Sequence, residues 1–277
     1  MHIDDIITRA LAEDLGDGDH TSQACIPANA IGKAKLLVKE PGIIAGIDIA
    51  RRVFEKVDKN TIFTQILNDG DIIKPGDIAF TVEGNPVSIL SSERLALNFM
   101  QRMSGIATKT NQMQKLLDGL NTKLLDTRKT TPNLRTIEKM AVKMGGGENH
   151  RFGLFDMIMI KDNHVDFSGG IANAIKNAKN YLKAKNKDLK IEIEVRNFDE
   201  LNEVLAIGGI NRIMLDNFTP DNLCKAVELI DGRFETEASG GITESTLRLY
   251  AETGVDYISV GSLTHHIKSL DLSLKAY

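Results

Sequence analysis

Four runs decide the fold: 190-KIEIEVRN-197, 212-RIMLDNF-218, 234-FETEASGG-241 and 256-DYISVGS-262. Each is a short apolar, strand-like run that ends in a polar residue or a glycine. Two earlier runs have the same form, 122-TKLLDTR-128 and 156-DMIMIKDNH-164. Helix-like segments such as GIANAIKNAKNYLKAK and ESTLRLYAETG lie between them. With Asp126, Lys161, Glu194, Asp216, Ser239 and Gly261 as markers, the spacings are 35, 33, 22, 23 and 22 residues. The last three are those of minimal β–α units. This pattern predicts a parallel α/β barrel with functional groups at the C-terminal ends of its strands. Six strands are visible where a closed barrel has eight, so the barrel is expected to be incomplete and open.

Upstream the pattern differs. Residues 31–90 alternate apolar and polar positions in short runs, separated by Pro41-Gly42, Asp69-Gly70 and Pro75-Gly76, which predicts a small, mostly antiparallel sheet. Residues 4–15 predict an amphipathic helix capped by Asp4 or Asp5, with Ile6, Ile7, Ala10 and Leu11 on one face. Residues 90–118 predict one long helix or two successive ones, with Gly105 as the break. The change of pattern places a domain boundary near 110–120.

Composition narrows the function. Thirty-four Lys+Arg stand against 38 Asp+Glu, a formal charge of −4, which argues against a nucleic-acid surface. No apolar run reaches the ~18 residues that span a bilayer. The first residues are acidic and lack the apolar core of a secretion signal, and Cys25 and Cys224 lie far apart. The expectation is a cytoplasmic protein with reduced thiols. There is no C-x-x-C or H-E-x-x-H zinc spacing, no G-x-S-x-G elbow and no Walker loop; GDGDHTS lacks the glycine and glutamate of a calcium loop.

In this slightly acidic chain, Arg128, Lys129, Arg151 and Lys161 all sit at or just past strand ends. That placement suggests a site for a small, heavily anionic ligand. Each cation taken alone also reads as a surface charge with an acidic neighbour. Glu194 and Asp216 end successive strands and suit a shared Mg²⁺ or, equally, pairing with Lys161 or Arg196. Glu192, one layer lower than Glu194, reads as a structural partner. Ser239-Gly240-Gly241, opening a helix over 243–249, and Gly261-Ser262 form glycine turns after the last two strands, a recurrent phosphate cradle.

The run DTRKTTPNLRTIEKMAVKMGGGENHR followed by IKDNH resembles the signature of the quinolinate phosphoribosyltransferases. ALAEDLGDGDHTS, SSERLALNFMQRMSGIAT, IEIEV, IMLDNF, EASGGI and ISVGSLTH extend the resemblance along nearly the whole chain, in order. It implies an N-terminal α/β sandwich-like domain over 1–115, an open α/β barrel over 116–266, and a tail at about 267–277 that packs back on the first domain. It also implies a homodimer with shared active sites, in some members built into a hexamer.

The reaction implied joins quinolinate to phosphoribosyl pyrophosphate with Mg²⁺, giving nicotinate mononucleotide, pyrophosphate and CO₂. By the resemblance, quinolinate would meet Thr127, Arg128, His150, Arg151 and Lys161, with Arg94 reaching in from the partner subunit. The phosphoribosyl donor would meet Lys129, Glu194, Asp216, Ser239, Gly240, Gly241, Gly261, Ser262 and His265, with Mg²⁺ at Glu194 and Asp216, directly or indirectly. Lys161, Glu194 and Asp216 would carry the chemistry. Two other readings are a non-decarboxylating phosphoribosyltransferase of the same fold (ModD-like, linked to molybdenum transport) and a non-catalytic sugar-phosphate-binding barrel.

Overall fold

The computed structural model describes His2–Tyr277. In chain order its elements are α1 (Ile3–Leu15), α2 (His20–Cys25), β1 (Gly32–Val38), β2 (Gly42–Ile43), α3 (Ile47–Val57), β3 (Ile62–Gln65), β4 (Ile72–Ile73), β5 (Ile78–Gly84) and α4 (Pro86–Lys115). They continue with β6 (Lys123–Leu125), α5 (Arg135–Met144), β7 (Ile158–Ile160), α6 (Asp162–Ser168), α7 (Ile171–Lys185), β8 (Ile191–Val195) and α8 (Phe198–Ile207). The last are β9 (Arg212–Asp216), α9 (Pro220–Ile230), β10 (Glu235–Ser239), α10 (Leu247–Ala251), β11 (Tyr257–Ser259), α11 (Ser262–His265) and β12 (Leu272–Ala276). The chain forms two compact units. One runs to Gln112 and takes in Lys129–Gly146 and Ser262–Tyr277; the other is Met113–Arg128 with Gly147–Gly261. Residues 129–146, which a single cut at 115/116 puts with the barrel, thus group with the first unit.

The first unit holds the four-stranded sheet β12-β1-β5-β3, antiparallel throughout, and the small ladder β2-β4. The tail strand β12 pairs with β1 from Ala34↔Ala276 to Val38↔Leu272. Helix α3 was not expected inside the 31–90 sheet. Its buried Ile47, Ala50, Val53 and Phe54 keep helical spacing within a sequence otherwise read by twos. Phe54, Phe63 and Phe80 form an aromatic cluster with centroids 4.4 to 6.0 Å apart. At α1, neither Asp4 nor Asp5 is the cap. The residue before the helix is His2, and Asp5 works from the first turn by accepting the His2 N–H at 3.2 Å.

Gly105 does not break α4, which runs unbroken for 30 residues. The glycine is there for closeness. A Cβ at that position would lie 2.2 Å from the carbonyl oxygen of Lys268. The returning 266–272 segment lies along α4 at this point. The Leu270 N–H donates to Gln101 O at 2.9 Å, the Gln101 side-chain amide to Leu272 O at 2.9 Å, and the Lys109 ammonium to His266 O at 2.6 Å.

The second unit is an open parallel sheet in the order β6-β11-β10-β9-β8-β7. The strands alternate, with Met214 an apolar exception on the charged face and Thr236 a polar one on the apolar face. Ile191, Ile193, Val195, Ile213, Leu215 and Ala238 are buried, and the intervening positions carry Glu192, Glu194, Arg212, Glu235 and Glu237. Glu192 and Glu237 are nevertheless fully buried, so the alternation separates two buried faces, one apolar and one charged. Local signals set where the crossover helices start. The Asn197 side chain caps α8 by accepting the Glu200 N–H, and Thr219 caps α9, with Pro220 at its first position. After β10 the chain turns through Thr243–Thr246 before α10 begins at Leu247, so the glycine turn does not open the expected helix over 243–249.

Candidate active site

Within the second unit, the strand ends carry Thr127, Arg128, Lys161, Glu194, Asp216, Ser239, Gly240, Gly241 and Gly261, with His150 and Arg151 on the segment that leads toward β7. Arg128 is exposed, Arg151 is half-buried, and the two guanidinium groups are close enough to repel. Burial and the Arg128 charge both push the Arg151 pKa down. Two like charges gathered at one rim are stabilised by a bound anion.

Lys161 follows β7, and its ammonium lies 3.1 Å from Glu194 Oε2 on the neighbouring strand β8. Arg196, the other partner considered for Glu194, pairs instead with Glu200, its Nε 2.8 Å from Glu200 Oε1. On β9, Asp216 accepts from the Ser239 hydroxyl and from the Asn217 side-chain amide, both at 2.6 Å. Gly240 is required there. Its φ is +96°, and a Cβ would lie 2.2 Å from Asn217 Oδ1.

His150 lies lower than a rim residue. It is 8% exposed, and Nε2 sits 3.1 Å from Glu192 Oε2 and 3.3 Å from Glu237 Oε2. Arg212 Nη1 closes the cluster, 2.9 Å from Glu237 Oε2. Burial opposes charge on His150, but the two carboxylates hold its pKa up to about 9. Meanwhile the Arg151 backbone N–H donates to His150 Nδ1 at 2.6 Å, which leaves no room for a proton there. Both demands are met if the ring carries its proton on Nε2 and a second proton sits on Glu192, whose pKa is raised by burial and by the Glu237 charge. The proton count equals that of an imidazolium between two carboxylates, so the titration belongs to the group. With Arg212 the cluster is then neutral.

A stability prediction follows. The folded cluster keeps this proton to about pH 9, against 6.5 for an ordinary histidine. A raised folded-state pKa stabilises fully below the unfolded value and loses that contribution as pH rises through the folded one. Melting temperature should therefore fall between about pH 6.5 and 9, with up to about 3 kcal/mol at stake. A flat profile across that window would contradict the assignment.

His150, Glu192 and Glu237 place one ligand atom each within 4.8 Å of one another, a grouping that could hold a metal. The Arg212 guanidinium on Glu237 already supplies the cation, so the cluster reads as an ion-pair network. Arg212 and Glu237 escaped the sequence reading, although their parity was a usable signal: each shares the face of Asp216 or Ser239.

Four expected site residues, Arg94, Lys129, Ser262 and His265, belong to the first unit. Arg94 is exposed on α4. The Lys129 carbonyl accepts the Thr264 hydroxyl at 2.8 Å, tying the Lys129 loop to α11. His265 is held below its ordinary pKa by burial, then by the nearness of His266, Lys129 and Lys109, a second concentration of positive charge. Arg102 and the fully buried Glu138 brace this loop. Arg102 Nη2 donates to Thr131 Oγ1 at 2.7 Å, and Glu138 Oε2 accepts the Thr131 N–H at 3.1 Å. Neither residue was singled out from the sequence.

Comparison with known proteins agrees along the chain's length. Residues 19–104 match the quinolinate phosphoribosyl transferase N-terminal domain and residues 106–275 its C-terminal domain. A chloroplastic nicotinate-nucleotide pyrophosphorylase [carboxylating] of Arabidopsis thaliana is 47% identical over 98% of this chain and 81% of its own length. A probable nicotinate-nucleotide pyrophosphorylase [carboxylating] of Bacillus subtilis is 42% identical over 99% of this chain and 93% of its own. The crystal structure of NadC from Streptococcus pyogenes superposes with a TM-score of 0.94 at 41% identity, covering 99% of this chain and 95% of that one. The chain belongs to the quinolinate phosphoribosyltransferase family.

Proposed function

We propose that this chain transfers the phosphoribosyl group of phosphoribosyl pyrophosphate to quinolinate with loss of CO₂, giving nicotinate mononucleotide and pyrophosphate in NAD biosynthesis. The observation that carries this reading is the paired cations Arg128 and Arg151 on the same unit as the Lys161–Glu194 and Asp216–Ser239 pairs. A dicarboxylate neutralises the first pair. In this reading the carboxylates would face the ribose, where positive charge develops as pyrophosphate leaves.

In this reading Arg128 and Arg151 grip quinolinate's carboxylates, and Thr127 adds a hydrogen bond. The pyridine nitrogen bonds to the anomeric carbon as the bond to pyrophosphate breaks. The resulting positive ring draws in the electrons of the breaking C–CO₂ bond. Lys161, held by Glu194, stabilises the carbanion until that carbon takes a proton. Lys129 faces the pyrophosphate. Ser239–Gly241 and Gly261 hold the 5′-phosphate, and on the first unit the charge around His265 is itself suited to an anion. The oxygen donors of Glu194, Asp216 and Ser239 fit Mg²⁺, which would neutralise pyrophosphate charge. No side-chain nucleophile is required, and positioning supplies much of the rate.

Arg94 is read as a cation lent to the pocket by a second copy, which makes a homodimer with shared sites the working assembly, alone or built into a hexamer. Two free, exposed cysteines fit a reducing compartment such as the cytoplasm. Among the described residues no helix is long and apolar enough to cross a membrane.

The test is a side-by-side assay of quinolinate, nicotinate and nicotinamide, each with phosphoribosyl pyrophosphate and Mg²⁺. Quinolinate alone should turn over, releasing one CO₂ per pyrophosphate. Nicotinate, with one carboxylate, meets fewer of these cations and gives up charge-assisted hydrogen bonds that quinolinate makes. Equal use of nicotinate, or transfer without CO₂, would overturn the proposal.

A further inference from the structure

The charged face of the second unit meets the Arg151 backbone at His150. Arg212 is anchored by two carboxylates of β10 and by a ring on β11. Its Nη1 lies 2.9 Å from Glu237 Oε2, its Nη2 lies 3.1 Å from Glu235 Oε2, and its guanidinium stacks 3.9 Å from the centre of the Tyr257 ring. Glu237 Oε2, so placed, and Glu192 Oε2 face His150 Nε2. On the other side of the ring, His150 Nδ1 accepts the Arg151 N–H at 2.6 Å, while the His150 N–H donates to the buried Asp126 at 2.8 Å. Both amides of the 150–151 segment are thus held by buried side chains. The Arg151 guanidinium itself has a long contact, Nη1 to Met157 O at 3.4 Å, so its aim is set mainly by its backbone.

We propose that Glu237, Glu192 and Arg212 are positioning residues. By holding His150 with Nδ1 as a hydrogen-bond acceptor, they fix the 150–151 backbone and through it the Arg151 guanidinium that takes a substrate carboxylate. This rests on the reading of Arg151 as a quinolinate ligand. It assigns His150 an indirect role: its nitrogens serve the protein, and its effect on the dicarboxylate passes through Arg151. The carboxylate acceptors are needed because only an Nε2–H donor leaves Nδ1 bare for the Arg151 amide.

Glu237→Gln keeps the side-chain volume and removes the charge that faces Nε2. The full-length variant, checked for folding by circular dichroism, should show a KM for quinolinate raised about 10-fold, with the KM for phosphoribosyl pyrophosphate within about 2-fold of wild type. Nitrogen-15 NMR of histidine-labelled wild type should show His150 Nδ1 unprotonated and Nε2 protonated at neutral pH. The His150 and Arg151 signals should move in the variant. A merely structural role would lower the melting temperature and leave both KM values in place, or shift them together, and either result overturns the proposal. So does a protonated Nδ1 in wild type, or a stoichiometric divalent metal in wild type that is absent from the variant. Should wild type fail to turn over quinolinate at all, the functional reading falls by itself. Unchanged His150 and Arg151 signals in Glu237→Gln would then overturn the positioning claim separately.

Discussion

Arg128→Ala is expected to raise the KM for quinolinate by about 100-fold while the protein stays folded. Arg128 is exposed, so its removal opens no core cavity, and it relieves repulsion on Arg151 in the free protein. What is lost is a charge-assisted contact to a carboxylate, worth about 1.5–3 kcal/mol. An unchanged KM would make Arg128 an ordinary surface charge. Arg94→Ala should have the same signature if a second copy supplies that residue, and mixing the two variants at a quinolinate concentration too low for either alone to turn over decides it. A mixed dimer carries one site with both lesions and one with neither. Roughly a quarter of wild-type activity should therefore return when half the dimers are mixed (isologous-dimer counting). No recovery after demonstrated subunit exchange would place Arg94 in its own chain's site or outside the chemistry.

Gly105→Ala should lower the melting temperature more than an alanine substitution anywhere on the exposed face of α4. The added methyl would stand 2.2 Å from the Lys268 carbonyl oxygen and 3.2 Å from Ser269 Cα, and backbone cannot swing aside as a side chain can. Helix propensity favours alanine by about 1 kcal/mol. Overpacking costs about 1–3 kcal/mol and more against backbone, so the clash wins. The same displacement has a functional reading. Residues 266–272 follow directly on α11, which carries Ser262 and His265, so the KM for phosphoribosyl pyrophosphate should rise alongside the loss of stability. A variant as stable as wild type would show that α4 and the tail have room to separate.

The open six-stranded architecture and the groups at its strand ends were legible because both depend on short-range pattern. Minimal β–α units recur at 22 or 23 residues, and each strand closes on the polar residue or glycine that parallel sheets expose at their C-terminal ends. Gly105 shows where that kind of reading stops. A glycine within a helical pattern means either a break or a close approach. The choice depends on a carbonyl 163 positions away in the chain, Lys268. The helix α3 was hidden by the alternating runs on both sides of it.

The site divides along the same line. Residue type and strand position mark Arg128, Lys161, Glu194, Asp216 and Ser239 as candidates, because each sits at or just past a strand end; Arg151, expected there too, lies instead on the segment before β7. Only the tertiary structure decides between Lys161 and Arg196 as the partner of Glu194, since both are open in the sequence; Lys161 takes it and Arg196 turns to Glu200. Only the tertiary structure sets His150 between Glu192 and Glu237 with Arg212 behind them. Alternation along a strand tells which residues share a face. It does not tell whether that face meets water or other charges, because that is settled by strands far away in sequence, and the electrostatics of a buried group depend on those neighbours more than on its own identity.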